Sequence, residues 1–293
     1  DDFRAFLAAL AAAGALLELD LPLTAEAGAA LARLAGLRAA APPALLRRVA
    51  GREGRLASGA YATRGSSALA LGLAWTTAPR QVLTTYVERW GSAPVEPAVV
   101  APSAAPCKQV VRRGAAADLT RFPLSPGSGE RCCPGGLLVS LDPTDGRPCL
   151  ALACLTVLDA STVAVFPVEH EVKPAVEHET GPAFLPSVQA LALACQAGVQ
   201  PEAALAIGVE PALLLAAAAP PTAYDPYGLA STLRASPVVI STCEGSDLEI
   251  PAYAELVIEG HLLPPSDSTP SSTPPPWSWW PCPATAPRPA RRG

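Results

Sequence analysis

The hydrophobic pattern of the first ten residues has a helical period: Phe3, Phe6, Leu7 and Leu10 fall on one face, Asp2 stands where an N-cap belongs, and Gly14 follows as a stop. Leu17-Glu18-Leu19-Asp20-Leu21 then alternates strictly and predicts a half-buried strand closed by Pro22, after which Thr24 caps a second predicted helix with Glu26 in its first turn. From Ser92 to Gly146 the texture changes. Pro and Gly recur, and short apolar runs such as Val110-Val111 and Leu137-Leu138-Val139 predict short strands with tight turns, the clearest at Asp142 to Gly146. Cys149 to Val157 and Thr162 to Val168 predict a hairpin around Asp159-Ala160-Ser161, within an antiparallel sheet or barrel. Helical patterning returns from Val188 to Ala197. A buried strand follows within 200–208, then helices over Pro211 to Ala218 and Tyr227 to Arg234 and a strand over Pro237 to Cys243. Leu248 to Gly260 alternates throughout and predicts one long strand.

Composition changes this picture at one end. Of 34 prolines, ten lie at or beyond Pro264, and Trp277, Trp279 and Trp280 crowd into the same segment, so 266–293 is expected to be a disordered Pro/Ser/Trp-rich tail. The chain as a whole is half hydrophobic but only 5% aromatic, which implies a core built from Ala, Leu and Val. A net charge of −5 argues against a nucleic-acid surface, and no apolar run reaches the length of a membrane span. The eight Cys are scattered, and the one adjacent pair, Cys132-Cys133, is too close for ordinary disulfide geometry or zinc-finger ligation. Buried free thiols in a reducing compartment, and so a cytoplasmic location, are expected.

Several short texts then recur in a telling order: Asp2-Phe3-Arg4-Ala5-Phe6-Leu7, Pro43-Ala44-Leu45-Leu46, Ala117-Asp118-Leu119 through Pro123-Leu124, Gly208-Val209-Glu210-Pro211-Ala212, Gly228-Leu229-Ala230 with Leu233-Arg234, and Asp247 to Gly260. Over about Asp2 to Pro265 this series resembles the UbiD family of non-oxidative decarboxylases. The resemblance implies an α+β fold with an N-terminal α/β module (1–91), a central split β-barrel of flavin-binding type with helical insertions (92–245) and the start of a C-terminal α/β region (246–265). Measured against that family, the chain is expected to be truncated after Pro265, with a frameshifted or mis-spliced message as the explanation of the tail. The implied function is a carboxy-lyase for aromatic or α,β-unsaturated carboxylic acids, a small-molecule substrate, using prenylated FMN, a divalent metal (Mn or Mg) and potassium, in a homo-oligomer. The alternative is a catalytically inactive relative that binds flavin or a partner.

Residue by residue, the family's Asn-x-x-x-x-Arg, metal ligand and carboxylate clamp, falls on Cys149 and Cys154. His170 matches the metal-binding His, the third ligand position is Pro226 with Asp225 beside it, and the catalytic glutamates have no counterpart after Pro265. The cofactor positions carried over are thus Cys149, Cys154 and His170, and the metal positions His170 and Asp225. Asp225 also reads as a helix cap, and Glu255 with Glu259, four apart on the predicted strand, reads as a structural pair on one face.

Overall fold

The computed structural model describes residues 2–24, 27, 42–61, 63–124, 133–143, 146–167, 191, 194–195, 197–219, 225–263 and 277–281. Helix α1 (Phe3–Ala12) begins as its pattern requires: the Asp2 carboxylate accepts from the Ala5 N–H at 2.7 Å, and Gly14 takes φ +65 just beyond the end. Strand β1 (Leu17–Leu19) pairs in parallel with β2 (Ala44–Leu46), which pairs antiparallel with β3 (Leu56–Ser58). Thr24 Oγ1 accepts from the Ala27 N–H, as a cap should, while most of the helix predicted there lies outside the described residues. Helices α2 (Arg64–Ala70) and α3 (Pro79–Trp90) complete this region.

The stretch read as short strands is mostly something else. After β4 (Ala98–Val99) come four single 3-10 turns, at Pro102–Ala104, Pro106–Lys108, Gly114–Ala116 and Leu119–Arg121. Val110 and Val111 lie between them outside any strand and are exposed, because two β-branched residues without a pairing partner do not make a ladder.

Strands β5 (Cys133–Leu141), β6 (Pro148–Val157) and β7 (Val163–Pro167) form the predicted hairpins. Gly146 at φ +73 turns the first, and Asp159 Oδ1 accepts from the Ser161 N–H to turn the second. Strand β8 (Glu202–Ile207) pairs with β5, and helices α4 (Pro211–Ala217) and α5 (Pro226–Arg234) follow, each with Pro in its first turn. Strand β9 (Val239–Thr242) then pairs antiparallel with β10 (Glu249–Pro251) and in parallel with β4.

The long strand expected over Leu248 to Gly260 is broken. It divides into β10 and β11 (Leu256–Leu263), which belong to different sheets, and the chain turns at Ala252 to Glu255, where Glu255 N–H donates to the Ile207 carbonyl. Strand β11 also runs past Gly260. In the segment expected to be disordered, Trp277–Pro281 instead forms β12, consistent with the high strand preference of tryptophan.

Six strands close a barrel in the order β11-β12-β7-β6-β5-β8. Cross-strand register explains its two faces. Leu138, Leu205 and Ile258 are neighbours in one row, and with Ala153, Leu155, Val163, Val165, Ala203 and Leu262 they fill the lumen. The intervening Leu137, Val139, Ala204 and Ala206 point outward into a second core shared with α4, α5 and β9, where Tyr227, Leu233 and Ile240 are fully buried. The barrel is therefore a packed solid, and α4 and α5 lie against the outer side of β5 and β6.

Candidate functional site

Of the residues singled out in sequence, Cys149 and Cys154 lie on β6. Cys149 and Cys154 are five apart on a regular strand, so they face opposite sides. Cys149 shares the parity of Ala151 and Ala153 at the lumen end, pairs with Ser140, and its thiol reaches the Arg147 carbonyl at 3.8 Å. Cys154 shares the parity of Leu150 and Leu152 on the outer face and pairs with residue 166 of β7. Both are partly exposed and outside any disulfide. The structure does not bring them together as one clamp.

Asp225 acts as the cap that its position predicts. Its Oδ2 accepts from the Gly228 N–H at 2.7 Å, directly before Pro226 at the first helical position. Burial pushes its carboxyl up, against the hydrogen bonds from the Gly228 and Tyr227 N–H groups, which favour the ionised form. His170 lies outside the described residues.

The two glutamates read as a pair on one strand face are separated. Glu255 precedes β11 and holds the Arg4 guanidinium through both oxygens, at 2.5 and 2.9 Å, tying α1 to the barrel. Glu259 sits within β11 opposite Ala204, and its carboxylate is near Cys243. Burial foremost, then Glu259, pushes the Cys243 thiol up, so it is neutral and unreactive at ordinary pH.

Sequence reading missed a buried ion pair beside this wall. Glu210 and Arg234 are 10% and 14% exposed and meet at 2.6 Å between Oε2 and Nη1, linking the entry of α4 to the end of α5. The only available signal was one acid in the otherwise apolar run around Pro211.

The donor set can be tested against the groups that the resemblance implies. Among the described residues no three His, Cys, Asp or Glu side chains are arranged to hold a metal ion, Asp225 is engaged with backbone N–H groups, and Cys154 carries no positive charge. The described residues do not fit a metal and carboxylate clamp. On the outer face Leu150 packs against the second core, and it and Leu152 are partly exposed, an apolar strand surface beside α4 and α5.

Comparison with known proteins bears on the same region. A phenolic acid decarboxylase of Streptomyces sp. (strain D7) is 29% identical over 273 residues, covering 89% of this chain and 54% of that protein. An uncharacterised protein of Synechocystis is 30% identical over 163 residues, 30% of its own length. The chain thus spans about half or less of the length of these relatives. Among solved structures, the UbiD-class enzyme HmfF of Pelotomaculum thermopropionicum in complex with FMN superposes with a TM-score of 0.75 at 25% identity, over 96% of this chain and 61% of that one. The closed form of Sedimentibacter hydroxybenzoicus vanillic acid decarboxylase shares the fold with a TM-score of 0.78 at 23% identity, over 95% and 60%. No helix among the described residues is long and apolar enough to cross a membrane. The model of the 3-octaprenyl-4-hydroxybenzoate carboxy-lyase Rift-related domain matches residues 98–271, from β4 to beyond β11, and by that match the chain belongs to the UbiD family.

Proposed function

We propose that the chain forms the flavin-facing wall of a UbiD-type non-oxidative carboxy-lyase, in the cytoplasm, acting on an aromatic or α,β-unsaturated carboxylic acid. The observation that carries this reading is the outer face of β6, an apolar strand surface backed by a filled barrel and flanked by α4 and α5, inside the region that the family match spans. Prenylated flavin, when bound, supplies an electron sink for the charge left as CO₂ departs. Leu152, with the part of Leu150 that the second core leaves exposed, gives the ring an apolar surface, and the filled lumen behind them excludes water from that side. Cys154 stands at the end of this surface. A thiol is a weak, uncharged donor, so a substrate carboxylate meets little there to orient it.

Native chain reconstituted with prenylated FMN and Mn²⁺ is expected to retain flavin absorbance after desalting, with slow CO₂ release from cinnamic- and 4-hydroxybenzoate-type acids. Cys154→Arg should raise kcat/KM about tenfold or more, the worth of a charged bidentate contact of roughly 1.5–3 kcal/mol. Loss of flavin on desalting from both native and variant protein would overturn the reading.

A further inference from the structure

We draw no further inference here: the strongest candidate, the side-chain cluster of Cys107, Lys108, Cys243 and Glu259 where the second 3-10 turn meets β9 and β11, rests on pKa shifts alone, with burial holding both thiols neutral and no three such groups among the described residues arranged to hold a metal ion.

Discussion

Glu210 stands at the entry of α4 without capping it. One carboxylate oxygen binds Arg234, the other is buried with no hydrogen-bond partner among the described residues, and burial pushes the carboxyl up to about 7 despite the guanidinium beside it. Unfolded, the same group titrates near 4.5. The folded state therefore binds the proton more tightly, and Glu210's contribution to stability is complete below about pH 4.5 and lost as pH rises through about 7. Glu210→Gln keeps an acceptor for Arg234 but cannot ionise, so urea midpoints measured from pH 4 to 8 should fall less steeply for the variant than for the native chain. A native-to-variant difference that stays constant across that range would contradict this. Glu210 and Arg234 were both visible in sequence, each within a family-like text. Their partnership was not, because residues 24 positions apart meet only once α4 and α5 are packed.

At the level of elements, reading was dependable where the signal was chemical rather than merely periodic. Asp2, Gly14, Pro211 and Asp225 marked helix ends correctly because capping and proline geometry act within one turn. The β6–β7 hairpin was legible from Asp159 to Ser161 for the same reason. Alternation misled over Leu248 to Gly260, since a pattern of period two continues unaltered through the turn that separates β10 from β11. Asp225 offers a test at this scale. If it is the cap of α5, Asp225→Ala should cost about 1 kcal/mol of stability while Asp225→Asn, itself a good cap, should cost little. Denaturation midpoints that drop equally for both variants would rule that role out.

In the whole molecule, the N-terminal helix meets the barrel at one tight joint. Gly208, just after β8, adopts φ +64, and a Cβ there would come within 2.7 Å of Glu255 Cγ and 3.3 Å of the Phe3 ring. Gly208→Ala combines a left-handed backbone with overpacking and should cost about 2 kcal/mol or more in chemical denaturation. Arg4→Ala, which removes a largely exposed ion pair at the same joint, should cost under about 1 kcal/mol. Comparable losses for the two would mean that the charge, rather than the close approach, holds the joint. The α+β fold class was legible in the order of the family-like texts, whereas the placement of Cys149 and Cys154 on opposite faces of β6 was not, because only register reveals strand parity. That parity has a consequence for descent. Residues that face the lumen fill the barrel, and on the outer side of β6 Leu150 packs against the second core, whereas Cys154 belongs to neither core. Position 154 can therefore change over generations while the fold persists, and some codons for Cys and Arg differ by a single base.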